Sequence, residues 1–186
     1  MKNIYVENLP EAAKTLKAGD RVALSGIVYT ARDAAHKRFF ELLDRAEALP
    51  FKVDGAVIYY TGPTPAQKGR PVGSCGPTTS ARMDRFAPRL LDLGLCAIIG
   101  KGEINEDVRK AIFRNGAVYF CAVGGAGALM ANHVLLAEEI AFSELGCESV
   151  KRLYVDKLPL TVAIDCSGGN IFTQKAKYAR PISLYR

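Results

Sequence analysis

Three short segments of the sequence combine residue types that bind small anions. The first is residues 76–84, Gly-Pro-Thr-Thr-Ser-Ala-Arg-Met-Asp, in which three hydroxyl side chains precede Arg82. Because this segment is expected to open a helix, free backbone N–H groups and an arginine fork would meet at one end of it, and both suit a carboxylate. The alternative is a simple helix cap, which needs only one hydroxyl and gives no role to Arg82.

The other two segments place a cation beside a predicted turn. Lys101 lies between Gly100 and Gly102 at the end of a buried strand, where ligands gather in open α/β sheets, although a surface lysine in a tight turn explains the same pattern. Arg32 and His36 are i, i+4 neighbours at the start of a predicted helix and would share a face. A single histidine does not indicate a metal site, so His36 is more simply a satisfied residue of that helix.

Hydrophobic periodicity predicts the elements that must hold these segments. Strands are predicted at 21–29, 55–60, 95–99, 117–123, 139–142 and 160–165, and helices at 32–48, from 76–80 to Gly94, from Asn105 to Asn115, and after Gly127. This order implies an α/β fold whose partly parallel sheet is covered by helices. Residues 61–73 are rich in proline and glycine and are predicted to form a loop.

Length and composition limit the class of protein. The 186 residues predict a single domain over 1–186, and 49% hydrophobic with 24% charged residues is the balance of a globular chain. No apolar run approaches the roughly 20 residues of a membrane helix, and no signal-like segment opens the chain, which predicts a cytoplasmic protein without membrane contact. The net charge is +6 but basic residues are scattered, so a small anionic substrate is favoured over nucleic acid.

The cysteines and glycines give no sign of a cofactor held by this chain. None of the five cysteines forms a C-x-x-C pair, so no metal ligands are predicted, and Cys96 and Cys121 lie in apolar runs that favour buried thiols. Gly125 and Gly127 follow a strand as in a dinucleotide fingerprint, but Met130 breaks the pattern. Close packing of helix on strand explains these glycines at least as well.

Four segments together resemble the β subunit of class I, iron–sulfur-dependent fumarate hydratases. They are GPTTSARMD, TARDAAHKR, IIGKG and AVYFCAVGGAGAL, and the resemblance covers nearly the whole chain. L-tartrate dehydratase β subunits are similar over the same frame and share GPTTS, so the hydro-lyase family is better defined than the substrate. Residues 82–84 and 116–120 are more similar to fumarate hydratases, whereas Ala81 stands where many relatives have glycine.

The resemblance implies a three-layer swivelling β/β/α domain in a hetero-oligomer with an α subunit, which holds a [4Fe-4S] cluster through its own cysteines. It implies that Arg32, Arg82 and Lys101 bind the carboxylates of a small dicarboxylate and that Thr78 is the catalytic base. The expected activity is the reversible hydration of fumarate to L-malate, with L-tartrate dehydration as the alternative. Because a threonine hydroxyl is a poor base in water, Thr78 could act only if nearby cations and a dry site favour its alkoxide.

Two other classes of function stay open at this point. A nucleotide-binding regulatory domain would use residues 124–127. A non-catalytic interaction subunit would use the loop 61–73 and would leave Arg82 and Lys101 far apart. A hydro-lyase subunit should instead bring its four site residues together at one open face, because each lies at the end of a predicted element.

Overall fold

The computed structural model describes residues 1–174, which form a mixed α/β structure around a seven-stranded sheet. The strands are β1 (Lys2–Tyr5), β2 (Arg21–Thr30), β3 (Val57–Tyr59), β4 (Ala97–Gly100), β5 (Val118–Cys121), β6 (Val134–Ala141) and β7 (Val150–Ile164). The α-helices are α1 (Leu9–Ala13), α2 (Asp33–Asp44), α3 (Ala87–Asp92), α4 (Glu106–Asn115) and α5 (Gly127–Ala131). Short 3-10 helices lie at Val6–Asn8, Ser80–Met83, Ser143–Glu148 and Ile171–Gln174. Over the described residues, no helix has the length and apolarity needed to cross a membrane.

The sheet has the order β1-β2-β3-β4-β5-β7-β6, and its first five strands are parallel neighbours. β7 runs antiparallel to β5 and β6 and also pairs with β2, so β2, β3, β4, β5 and β7 form a closed ring of paired strands. This confirms the predicted α/β class with a partly parallel sheet. Because β2 to β5 are parallel, their carboxyl ends lie at one edge, called here the carboxyl edge.

Two apolar clusters lie on opposite faces of the strands. Val57 and Tyr59 of β3 belong to the first cluster together with side chains of α1, β2 and β7, whereas Ile58 belongs to the second with α2, α3 and α4. Alternate residues of a strand point to opposite faces, so both sets are removed from water. Burial on both faces explains why β3 and β4 read as continuous apolar runs in the sequence.

The helix predictions agree best where the sequence carries clear end signals. Asn105 caps α4 by accepting the N–H of Val108 at 3.0 Å, and Gly116 ends the helix with a φ of 65°. The continuous helix predicted from 76–80 to Gly94 is wrong. That segment makes one 3-10 turn and becomes α-helical only at Ala87.

Pro88 gives the physical reason for this break. In the interior of a longer helix, Pro88 would lack an N–H donor and its ring would clash with the carbonyl four residues earlier, whereas in the first turn it is tolerated. Strand lengths also differ from the predictions. β1 is missed, β6 begins at Val134, ahead of the predicted 139–142, and β7 starts at Val150, well before the predicted 160–165.

Candidate active site

The segment 76–80 crosses the carboxyl edge between the ends of β3 and β4. The N–H of Thr78 donates to the C=O of Tyr60 at 2.7 Å, and the N–H of Ser80 donates to the C=O of Lys101 at 3.0 Å. One side of this segment is thereby bonded to the chain leaving β3 and the other to the chain leaving β4. Thr78, which is half-buried, lies between the two strand ends.

Side chains from the end of β3 hold the residues that lead into this segment. The Tyr59 hydroxyl donates to the C=O of Cys75 at 2.6 Å, and the Thr61 hydroxyl donates to the C=O of Gly76 at 2.7 Å. The N–H of Cys75 donates to the C=O of Gly127 at 2.9 Å. Three hydrogen bonds, two from the end of β3 and one to the start of α5, therefore fix the approach to Thr78, so a segment without regular structure can hold a hydroxyl in one place.

Lys101 directly follows β4 and pairs with Thr79 in an isolated parallel bridge. Its side chain passes over Gly124, because a Cβ on that glycine would lie 3.4 Å from Lys101 Cδ and 3.8 Å from Nζ. No carboxylate among the residues that the structure describes forms an ion pair with the Lys101 ammonium. Within residues 1–174, the positive charge of Lys101 at the carboxyl edge is therefore not paired with a carboxylate.

Arg82 lies in the 3-10 turn that starts at Ser80, close to the Lys101 backbone. Its side chain is exposed and has no ion-pair partner within residues 1–174. The hypothesis of a non-catalytic interaction subunit required Arg82 and Lys101 to be far apart. Arg82 lies two residues after Ser80, and the N–H of Ser80 donates to the C=O of Lys101, which argues against that hypothesis.

Arg32 is the N-cap residue of α2 and lies beyond the end of β2. Its Nη2 is 3.1 Å from Glu148 Oε1 and 3.7 Å from Asp33 Oδ1, and its side chain is 25% exposed. Its Cδ would lie 3.2 Å from a Cβ on Gly62, so the side chain leans over the chain that leaves β3. Since only β3 separates β2 from β4, the strand ends that carry Arg32 and Lys101 are about 10 Å apart.

His36 supports the backbone of Arg32. Both the N–H of His36 and its Nδ1 contact the C=O of Arg32, at 2.9 and 2.7 Å. Burial lowers the pKa of His36 to about 4, so the ring is neutral near pH 7. The interpretation of His36 as a satisfied helix residue is correct for Nδ1 only, because Nε2 has no hydrogen-bond partner within residues 1–174. The hydroxyl of Tyr60, whose ring packs against His36, is also buried and has no partner within that range.

Of the glycines after β5, Gly127 serves backbone packing. A Cβ on Gly127 would lie 3.1 Å from the N of Gly76 and 2.1 Å from the Ser74 hydroxyl oxygen, so only a glycine allows this approach. The neighbour is the segment before Thr78 and not a strand, which corrects the packing partner expected from the sequence. This contact explains Gly127 without a nucleotide, whereas a Cβ on Gly125 would have no atom within 4 Å.

Glu148 is a site neighbour that sequence reasoning missed. Its two oxygens contact Arg32 Nη2 at 3.1 Å and the N–H of Ala34 at 3.3 Å, so it joins the start of α2 to the turn before β7. We expect Glu148→Gln to lower the melting temperature by roughly 2–4 °C, about 1 kcal/mol in a chain of this size, because the guanidinium loses its partner.

A matched control lies in the same turn. Glu144 pairs with Arg38 at 2.8 Å, but both side chains are about half exposed, at 53% and 44%. Exposed pairs contribute little to stability, so Glu144→Gln is expected to lower the melting temperature less than Glu148→Gln does. Thermal unfolding of both variants checks the difference, and equal melting temperatures would mean that Glu148 does not hold Arg32.

Comparison with known proteins now places this arrangement in a family. The family model described as Fumarase C-terminus matches residues 1–175. The chain belongs to this family. A putative L(+)-tartrate dehydratase subunit beta of Methanocaldococcus jannaschii is 40% identical over 171 residues, which cover 88% of this chain and 87% of that protein.

Longer relatives contain a region similar to this chain as one part of a larger protein. The anaerobic class I fumarate hydratase of Escherichia coli is 34% identical over 156 residues, and the mitochondrial fumarate hydratase 1 of Leishmania major is 35% identical over 156 residues. In both comparisons the match covers 83% of this chain but 28% of the relative. Most of each fumarate hydratase therefore lies outside the region that this chain spans.

Proposed function

We propose that this chain is the β subunit of a dicarboxylate hydro-lyase of the fumarate hydratase type, which interconverts fumarate and L-malate together with an α subunit. The observation that supports the proposal is that the backbone segments bearing Arg32, Arg82 and Lys101 all lie at the carboxyl edge, where the segment 76–80 also holds Thr78. L-tartrate dehydration is the second candidate, because the Methanocaldococcus relative that bears this name aligns over most of both chains.

The proposed cations have complementary roles toward a dicarboxylate. An arginine offers a planar fork that matches a carboxylate with two hydrogen bonds, whereas a lysine supplies a compact point charge. Glu148 engages Nη2 of Arg32, which leaves other donors of that fork for substrate. Gly124 adds no side chain beside the Lys101 ammonium, where a Cβ would contact the lysine side chain.

In the dehydration direction, a proton leaves the carbon next to one carboxylate and hydroxide leaves the neighbouring carbon, and the two together make one water. Negative charge builds on that carboxylate as the proton departs, and fixed cations at the site stabilise it. Thr78, as its alkoxide, would take this proton and become neutral, and transfer of the proton to the departing hydroxide would release water and restore the alkoxide. The Thr78 hydroxyl has no hydrogen-bond partner within residues 1–174. The Thr78 backbone N–H donates to the C=O of Tyr60, so the backbone is held in place while the side-chain oxygen makes no hydrogen bond within that range.

The proposal assigns the [4Fe-4S] cluster to the α subunit, because the described residues 1–174 do not suit it. No three Cys, His, Asp or Glu side chains within residues 1–174 are placed to hold a metal ion. Burial raises the pKa of Cys75 to about 11 and that of Cys96 to about 12, which disfavours the thiolates that iron needs. We also propose that the chain is a single domain over 1–186 with the three-layer swivelling arrangement, and that it is cytoplasmic.

The test compares this chain alone with this chain co-expressed anaerobically with the α-type subunit of the same organism. We expect the lone chain to be colourless, free of iron and inactive, and the complex to convert fumarate into L-malate. Iron, sulfide and product are measured in both samples, and L-tartrate is assayed in parallel. Fumarate turnover by the cluster-free chain, or a complex that acts on neither substrate, would overturn the proposal, while turnover of L-tartrate alone selects the second candidate.

A further inference from the structure

A series of buried hydrogen bonds joins the segment 76–80 to the turn after β4. The N–H of Lys101 donates to Ser80 Oγ at 3.1 Å, Ser80 Oγ lies 2.8 Å from Tyr119 Oη, and Tyr119 Oη donates to the C=O of Gly102 at 2.8 Å. Because the Tyr119 proton is used on Gly102, the Ser80 proton must point to Tyr119. Both hydroxyls are therefore fully engaged, each as donor and as acceptor.

The surroundings make this series rigid. Ser80 and Tyr119 are fully buried, and burial raises the pKa of Tyr119, so its hydroxyl stays protonated. A Cβ on Gly100 would lie 2.0 Å from Ser80 Oγ, which means that the absence of a side chain there lets the serine reach the Lys101 backbone. A buried network with every partner satisfied is costly to break, because each lost bond leaves a desolvated polar group.

The series links the residues to which the proposed function gives different roles. Thr78 and Arg82 each lie two positions from Ser80, and Lys101 is bonded to Ser80 through both its N–H and its C=O. Neither the Ser80 nor the Tyr119 side chain is exposed, so neither can touch substrate. We propose, on the basis of the proposed function, that Ser80 and Tyr119 are positioning residues that set the separation between the Thr78 hydroxyl and the Lys101 ammonium.

Ser80→Ala and Tyr119→Phe test this in the assembled enzyme. A misplacement of about 1 Å can cost up to 10² in rate, so we expect kcat to fall roughly 10-fold to 100-fold in each variant, with KM changed less than threefold. The double variant should be little worse than either single variant, because both interrupt one unit. Tyr119→Phe keeps the ring and the core packing, so it still tests the proposal if Ser80→Ala folds poorly.

Ser25→Ala is the matched control. Ser25 is a buried serine whose Oγ accepts the N–H of Lys157 at 2.9 Å and donates to Asp156 Oδ1 at 3.1 Å, the same use of one hydroxyl as at Ser80. It lies in the middle of β2, about 15 Å along the strand from the carboxyl edge. We expect Ser25→Ala to lower the melting temperature as Ser80→Ala does and to keep wild-type kcat.

A second readout is independent of activity. In the free chain, hydrogen exchange at the Lys101 amide should accelerate at least about tenfold in Ser80→Ala and Tyr119→Phe relative to Ser25→Ala, because an acceptor or its support is lost. Unchanged kcat in both variants, or unchanged exchange at Lys101, would overturn the positioning role. If the wild-type complex turns over no dicarboxylate, the proposed function fails, and exchange at Lys101 still decides whether Ser80 and Tyr119 hold this turn.

Discussion

Replacement of Thr78 by alanine is expected to lower kcat of the assembled enzyme by roughly 10² or more, with little change in KM or in stability. If Thr78 only capped a helix, the same change would cost about 1 kcal/mol of stability and leave turnover intact. The structure argues against a cap, because Thr79 is the N-cap residue of the 3-10 turn and no side chain caps it. Nothing structural within residues 1–174 therefore uses the Thr78 hydroxyl.

The measurement takes kcat, KM and melting temperature of Thr78→Ala, Thr78→Ser and Thr79→Ala. Thr78→Ser keeps a hydroxyl at the same place and should retain much of the activity. Thr79→Ala removes the neighbouring exposed hydroxyl and should behave like wild type in all three quantities. Normal turnover in Thr78→Ala would remove Thr78 from the mechanism, and a loss of equal size in Thr79→Ala would point to a disturbed segment.

Local patterns predicted the parts of the fold that local physics determines. The ends of α4 follow from Asn105 and Gly116, because a cap and a left-handed residue act within one turn of chain. The turn at Lys101 was predicted from its two flanking glycines and a buried strand, and that placed it at the carboxyl edge. The same approach failed after residue 76, where three hydroxyls favour a helix start but the later Pro88 disfavours one continuous helix.

Contacts between distant parts of the chain carry no such pattern. Ser80 and Tyr119 are 39 residues apart, and Glu148 reaches the start of α2 across more than a hundred residues. Both contacts depend on the order of the strands in the sheet and on the pairing of the long β7 with β2. Hydrophobic periodicity gives neither the strand order nor that pairing. Spacing alone indicated an anion site, and the family resemblance supplied the individual roles of Thr78 and Arg82.

Arg82→Lys is expected to raise KM and to lower kcat, with kcat/KM reduced about 10-fold to 100-fold in the complex. The substitution keeps the positive charge but removes the planar fork, and one charge-assisted hydrogen bond contributes about 1.5–3 kcal/mol. Since Arg82 is exposed and has no ion-pair partner within residues 1–174, the folded chain should lose no stability. A change in activity without a change in melting temperature is the signature of a substrate ligand.

Arg85→Lys provides the comparison that separates geometry from charge. Arg85 lies one short turn further along the chain and is also exposed, but its guanidinium stacks 4.4 Å from the centre of the Phe86 ring, beside α2. The same change there leaves the net charge of the chain unaltered and should keep kcat/KM within about twofold of wild type. If Arg82→Lys and Arg85→Lys reduced kcat/KM equally, or not at all, the carboxylate clamp would have to lie elsewhere, and Arg32 and Lys101 would be left to bind both ends of the substrate.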